Sequence, residues 1–341
     1  RSYPGFLSAD MGIDLGTANT VIYVKGQGIV LSEPSVVAIK TDLRRGPRVV
    51  AVGTNAKNMI GRTPEGIVAI QPLKDGVIAD FELTEVMLRH FILRTRGGRF
   101  LTKPRILICL PSCSTEVEML AVQETARNVG ARAVYLLAEP VAAAIGSRLP
   151  IREPMGSMIV DIGGGTTEVA VLSMSDVVHC SSIRVAGHEM DSAIIKYVKK
   201  KHGLLIGTRT AETVKKVIGN ACGETGDRSI AVKGRDLIGG IPKIVTLRSW
   251  EVTEAISAPV HAVVETIKSA LVQTPPELAS DLVERGIVLS GGGSLLRNLD
   301  EVIRRATGLP VFLADKPLLS VVLGTKAIFQ DFRTYEDLLV T

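Results

Sequence analysis

Aromatic side chains are scarce in this chain: Phe, Trp and Tyr make up 4% of its 341 residues, so a large core has to be built from Val, Ile, Leu and Ala. The four cysteines, Cys109, Cys113, Cys180 and Cys222, include no C-x-x-C pair. Cys109 and Cys113 stand at C-x3-C spacing, but no second pair or suitably placed His accompanies them. Free thiols of a reducing compartment fit this pattern better than a disulfide framework or a thiolate metal site. The five histidines form no metal-binding pattern either. No apolar run approaches the roughly 18–20 residues needed to cross a bilayer, and Arg1 to Leu7 lacks the long apolar stretch of a secretion signal. The chain opens at Arg1 rather than Met, as a trimmed polypeptide would. No long basic stretch is interleaved with aromatics, so nucleic-acid binding is not expected. A cytoplasmic protein is.

What is present is ample for a globular molecule: 46% of residues are hydrophobic and 22% charged, and the length favours two domains. The net charge of +5 suits an anionic membrane surface or a polyanionic ligand. One pattern occurs twice. Gly12-Ile13-Asp14-Leu15-Gly16-Thr17-Ala18-Asn19-Thr20-Val21 is matched by Ile159-Val160-Asp161-Ile162-Gly163-Gly164-Gly165-Thr166-Thr167-Glu168. Each copy is an apolar strand, an Asp, a turn of Gly and Thr, and a second apolar strand. Glycine at such a hairpin tip lets backbone N–H groups approach an anion closely. The bland alternative is a pair of ordinary tight turns. Two copies, each with its Asp at a strand end, point instead to related domains clamping a nucleotide's phosphates and metal.

Further along, Arg44-Arg45-Gly46-Pro47 and Lys57 to Arg62 read as basic turns in a small surface insertion. Apolar spacing predicts a helix over 82–95, and Thr115 with Glu118 forms a capping box opening another after strand Arg105–Leu110. Helices are expected over 191–201, 210–220 and 252–272, the last stopped by Pro275-Pro276. Strands alternating with helices indicate an α/β class with helices covering mixed sheets. A third glycine turn, Gly291-Gly292-Gly293, follows strand Gly286–Ser290, and a helix is expected to start at Ser294 and run to Thr307. That junction would offer a helix N-terminus to ribose or phosphate oxygens.

These segments assemble on paper into one site. Asp14 and Asp161 are hard oxygen ligands suited to Mg²⁺, directly or through water. Gly16, Thr17, Ala18 and Asn19 with Gly163, Gly164, Gly165 and Thr166 would cradle the phosphates. Glu139, before a helix-opening Pro140, would stand at the cleft, although such a Glu is elsewhere often a solvated first-turn acid. Gly291, Gly292, Gly293, Ser294, Leu295 and Leu296 would face the nucleoside. Glu212 and Lys215 share a helix face and either bracket the adenine or form a surface ion pair worth ~0.3 kcal/mol. Phe100 and Leu101, flanked by Arg94, Arg96, Arg99, Lys103 and Arg105, either insert into an anionic membrane or pack onto their own domain.

With these residues in hand, the chain resembles the actin-like ATPase superfamily, and within it the MreB/Mbl family. The hairpins alone are shared with sugar kinases and heat-shock ATPases. The longer strings Ile29–Ala38, Lys74–Phe81, Pro275–Ala279 and Leu289–Gly293 narrow the match. The resemblance implies a duplicated, ribonuclease H-like fold of two domains and four subdomains around Mg-ATP. Its boundaries would be 1–35, 70–147 and 318–341 for the first large subdomain and 36–69 for its small companion. In the second half they would be 148–183 with 248–317, and 184–247. It further implies slow hydrolysis of ATP to ADP with Glu139 and Thr166 positioning and activating the water. Self-assembly into antiparallel double protofilaments would serve cell-wall synthesis and rod shape. The filaments would lie at the inner face of the membrane beside membrane proteins of the elongation machinery. A small-molecule, sugar-type kinase is the alternative. The chain departs from the family pattern at Ala138, at His188, where an acid is usual, and in a shortened Gly324-Thr325-Lys326 turn.

Overall fold

A computed structural model describes residues 10–42, 46–96, 103–223 and 228–340. Two five-stranded sheets form its frame. Sheet I contains β1 (Met11–Leu15), β2 (Asn19–Val24), β3 (Gly28–Pro34), β4 (Arg105–Leu110) and β5 (Ala133–Ala138), in the order β5-β4-β1-β2-β3. Sheet II contains β6 (Ser157–Ile162), β7 (Thr167–Ser173), β8 (Asp176–Ile183), β9 (Ile287–Ser290) and β10 (Val311–Leu313), in the order β10-β9-β6-β7-β8. In both sheets the first three strands are antiparallel neighbours and the other two add in parallel. The second half therefore repeats the first strand for strand, as the duplicated hairpins require.

Side-chain alternation along the strands sorts each sheet into an outer and an inner face. Met11, Ile13 and Leu15 face outward and pack with Met87, Leu88 and Phe91 of α1 (Phe81–Arg96) and with Val122 and Ala126 of α2 (Glu116–Asn128). The predicted capping box opens α2: Thr115 accepts from the Glu118 N–H, and the Glu118 carboxylate accepts from the Thr115 N–H. From the inner face of sheet I, α3 (Glu139–Gly146) leads across toward sheet II. Met158, Val160 and Ile162 face outward on sheet II. They join the buried sides of α4 (Gly187–His202), α5 (Thr208–Ile218), α6 (Ser249–Gln273) and α7 (Leu299–Thr307). Helix α6 is long and apolar enough to span a bilayer, yet Val252, Ile256, Val260, Val263 and Ile267 are spent on this core. The last long helix, α8 (Ser320–Gln330), lies beside α3.

The layer between the sheets is one apolar cluster. Val21, Tyr23, Leu107 and Cys109 from sheet I and Ile159, Ala170 and Leu172 from sheet II close on Ala142–Ile145 of α3 and Val321, Val322, Ile328 and Phe329 of α8. Each sheet also carries a three-stranded companion, made of residues 37–42, 46–52 and 67–70 in one half and 204–205, 229–236 and 242–248 in the other.

Several local expectations are corrected. Of the expected turn from Lys57 to Arg62, Lys57 to Met59 instead end a short helix, 54–59, opened after Gly53 in the left-handed region, and only Ile60 to Arg62 turn. Gly46 and Pro47 belong to a strand. Gly324-Thr325-Lys326 is no turn but the middle of α8. There the two helices cross backbone to backbone. A Cβ on Gly146 would overlap the Ser320 carbonyl, and one on Gly324 would overlap the Ala142 carbonyl. Thr325 is fully buried and occupies the space a side chain at Gly12 would need. Gly324→Ala is therefore expected to cost about 2–3 kcal/mol or more by overpacking, read as a lowered midpoint in urea unfolding. An unchanged midpoint would contradict the close crossing.

Candidate functional site

Asp14 and Asp161 sit at inward-facing positions near the C-terminal ends of β1 and β6, the central strands of their sheets. The alternation that buries Ile13 and Val160 outward turns both carboxylates into the gap between the sheets. Glu139 is the first residue of α3 and enters the same gap. Glu168 pairs with Asp161 across the β6–β7 ladder and brings a further carboxylate.

Both hairpin tips have their carbonyls tied back into the protein. Gly16 O accepts from Ser35 Oγ at 2.6 Å and Ala18 O from the Ser35 N–H at 3.1 Å. Gly163 O accepts from the Gly187 N–H at 3.3 Å and Gly164 O from the His188 N–H at 2.8 Å. The Gly163 N–H is also engaged, by Thr166 O at 2.8 Å, and the remaining tip N–H groups are what could meet an anion. The tips also touch one another. A Cβ on Gly164 would lie 2.6 Å from Ala18 Cβ, and one on Gly165 would lie 2.9 Å from Thr17 Cγ2 and 3.0 Å from the Asp75 backbone. No side chain fits there.

The carboxylates crowd a buried space. Burial, and then the charge of Asp161, pushes Asp14 up to about 8. Burial raises Asp161 to about 6, opposed by the Ser290 hydroxyl, which donates to its Oδ1 at 2.5 Å. The difference follows from the ladder partners: Ser290 stands beside Asp161 on β9, whereas Cys109 stands beside Asp14 on β4. Glu168 is raised to about 7 by burial, although its Oε1 accepts from the Ser112 N–H at 2.9 Å and from Ser112 Oγ at 2.7 Å. Glu139 is driven well above the usual range by burial and by Glu168, Asp14 and Asp161. Glu139 Oε1 and Glu168 Oε2 are buried without a hydrogen-bond partner. Such a cluster favours a bound cation. Among the described residues no three His, Cys, Asp or Glu side chains converge as a protein-only metal cage. The donor set therefore fits a hard cation that keeps waters and shares a ligand's oxygens, with Asp14 and Asp161 as its protein carboxylates.

A cavity of about 510 Å³ opens above these groups. Every residue expected to hold a nucleotide lines it except Gly165 and Ser294. Gly165 is pressed against Thr17 and Asp75 instead. Ser294 is buried, and its hydroxyl donates to Gly291 O at 2.6 Å, folding the glycine turn from behind. The helix expected from Ser294 is broken. A single 3₁₀ turn covers Gly293–Leu295, Leu296 is extended, Asn298 is left-handed, and α7 starts only at Leu299. The dipole argument for that turn therefore falls. Glu212 and Lys215 both line the cavity but are not partners. Glu212 pairs with Lys57 at 3.1 Å and Lys216 at 2.6 Å, which holds its carboxyl down at about 2 despite burial. Lys215 Nζ lies 2.8 Å from Asp191 Oδ1 and donates to Gly187 O at 2.6 Å.

Sequence reasoning gave no role to the first turn of α4, where Gly187, His188, Met190 and Asp191 enter the cavity wall, or to Leu318 and Val321 before and within α8. The α4 spacing i, i+3, i+4 was a usable signal; the α8 contribution was not, since it depends on the fold closing. Turn Asp75-Gly76 was likewise missed as a part of the site: a Cβ on Gly76 would overlap Thr166 Cγ2. Phe100, Leu101 and Arg99 lie outside the described residues. Of the basic residues around them, Arg94 pairs with Glu33 at 2.8 Å. Arg105 turns inward to Asp10 at 2.5 Å and stacks over Phe332, so it is not a surface charge.

Because burial raises these carboxyl values, the folded protein binds more protons than the unfolded chain between the ordinary carboxyl range near 4 and about 8. Stability therefore falls as pH rises through that window. Without nucleotide or divalent cation, the thermal midpoint is expected to be lower at pH 8 than at pH 6.5, with a flatter slope in Asp14→Asn. A midpoint that climbs over that interval would contradict the buried cluster.

Residues 8–337 match the MreB/Mbl protein family. The chain is 54% identical over 326 residues to the cell shape-determining protein MreB of Escherichia coli strain K12, covering 95% of this chain and 94% of that one. It is 48% identical over 316 residues to the cell shape-determining protein Mbl of Bacillus subtilis strain 168, covering 93% and 94%. The crystal structure of MreB 5 of Spiroplasma citri bound to AMPPNP superposes with a TM-score of 0.91 at 36% identity, covering 97% of this chain and 98% of that one. The paired sheets and the cleft between them are an actin-like fold, and the chain belongs to the MreB/Mbl family.

Proposed function

We propose that the chain binds ATP with Mg²⁺ in the cleft, hydrolyses it slowly to ADP and phosphate, and assembles with copies of itself into a cytoskeletal filament that determines cell shape. The observation that carries this reading is the meeting of two glycine tips over a buried carboxylate cluster, one tip and one Asp from each half of the fold. The AMPPNP bound by the Spiroplasma citri protein and the names of the relatives support it. The four-subdomain division at 36–69 and 184–247 belongs to the same proposal.

In this reading the tip N–H groups hold the β- and γ-phosphates, and Asp14 and Asp161 hold the cation through its waters. The cation, when bound, supplies the charge that offsets carboxylate and phosphate repulsion. Thr166, fixed against Gly76, orients the attacking water, and Glu139 receives its proton on the unpartnered Oε1. The Met190, Leu295, Leu296 and Leu318 side chains give the cavity apolar walls for the base.

Assembly has surfaces to draw on. Val117 and Leu120 stand exposed on α2, and Ile238, Ile241 and Ile244 stand exposed at and beside the hairpin joining 229–236 to 242–248. Apolar groups of this kind are commonly covered by partners, and we assign them to copies of this chain in paired, antiparallel protofilaments. A peripheral position at the inner membrane face, beside membrane proteins of wall elongation, completes the proposal, and the net charge of +5 favours it. The kinase alternative gains nothing from relatives named for cell shape.

Glu139→Ala is expected to lower phosphate release by about 10²–10⁴-fold while ATP still binds; unchanged turnover would remove Glu139 from the chemistry. Calorimetry on Asp14→Ala should show Mg-ATP affinity reduced at least tenfold, and equal affinity would contradict its metal role. Electron microscopy with ATP and Mg²⁺ should show filaments. Material that stays monomeric at every concentration tested would sink the assembly claim.

A further inference from the structure

The ring of His188 stands where the two halves of the phosphate cradle meet. His188 is the second residue of α4, and its backbone N–H fixes it to Gly164 O at 2.8 Å. Its Cε1 and Nε2 lie 3.3 Å from the point a Cβ on Gly164 would occupy, a point that is itself 2.6 Å from Ala18 Cβ. The imidazole edge thus faces the seam between the tips, and the residue lines the cavity. Neither ring nitrogen has a hydrogen-bond partner among the described residues. An imidazole left unpaired beside backbone N–H groups is matched by an oxyanion, which both can serve.

We propose that His188 is a phosphate-contacting proton acceptor of the cleft, taking up a proton against the phosphate oxygens of a bound nucleoside di- or triphosphate. The inference rests on the nucleotide reading of the cleft and adds a residue and a linkage to it.

The surroundings set the direction. Charged groups reach the ring from three elements: Lys57 on the short helix 54–59, Asp75 in its turn, and Glu212 and Lys215 on α5. On its own helix Asp191 engages Lys215, and Glu212 engages Lys57. Burial first, and the Lys215 charge next, hold the ring below its ordinary value, with Asp75 and Glu212 opposing. An entering phosphate adds negative charge beside it and raises its proton affinity. Binding then adds proton uptake at this ring, set against the protons the carboxylates release to an entering cation, and the ring's contribution to affinity weakens as pH rises between its free and bound values.

Calorimetry of ADP with Mg²⁺, in buffers of differing ionisation enthalpy from pH 6 to 8, tests this on the full chain and on His188→Gln. Glutamine keeps a donor but cannot take up the proton. The wild type should absorb more protons per ADP than the variant. The ratio of wild-type to variant affinity should fall with pH, by up to about tenfold per unit, and approach one at pH 8. Equal proton uptake and parallel pH dependence overturn the proposal and leave the cleft reading intact. Failure of the wild type to bind ADP overturns both. Should the variant not fold, proton NMR of the wild-type His188 ring with and without ADP decides: an upward shift of its titration on binding supports the proposal, and an unmoved titration overturns it.

Discussion

Carboxylates crowded between two sheets repel one another, and this molecule keeps four of them there: Glu139, Asp161 and Glu168, which are buried, and Asp14, which is half-buried. Glu139 and Glu168 each have an oxygen with no hydrogen-bond partner within reach among the described residues. The layer below offers them little relief, because apart from Tyr23 and Cys109 its buried members are Val, Ile, Leu, Ala and Phe. Relief must come from above, as protons when the cleft is empty of charge or as a cation carried in with an anion. In the proposed reading the glycine tips, where Gly16, Ala18, Gly163 and Gly164 have their carbonyls engaged, accept the anion. Cluster and tips are therefore complementary halves of one electrostatic arrangement, and neither is stable on its own terms.

Duplication explains why the arrangement is so economical. Each half contributes one central strand, one inward Asp, one tip and one helix crossing the middle layer. Differences between the halves then tune what symmetry would leave equal. Ser290 donates to Asp161 and no hydroxyl stands in the matching place beside Asp14, where Cys109 lies, so Asp161 is raised less than Asp14. Val21 in the first half is matched by Glu168 in the second, which reaches Ser112 across the gap.

Much of this was legible in residue order. Period-two alternation with a paired Asp and Gly turn fixed the two hairpins, and the Thr115–Glu118 box fixed the start of a helix, because both are local patterns. The failures share a physical cause. The run after Gly293 has helical apolar spacing, but Asn298 takes a left-handed conformation that splits it, and spacing alone carries no sign of that. Glu212 and Lys215 stand three residues apart, yet each finds a better partner from a distant element, Lys57 and Asp191. Arg105 looked like one charge in a basic surface loop, and Asp10 with Phe332 draws it inside. Long-range competition decided each case.

At the crossing of α3 and α8, backbone meets backbone at Gly146 and Gly324 with no side chains between them. α8 packs on β1 and β2 of sheet I, and α3 packs on β6 and β7 of sheet II as well as on β4 and β5. Sliding one helix along the other would drive carbonyls into the opposing glycines. The crossing therefore sets the spacing of the two sheets at the floor of the cleft, while Lys57 and Glu212 tie the small companions of the two sheets together above it.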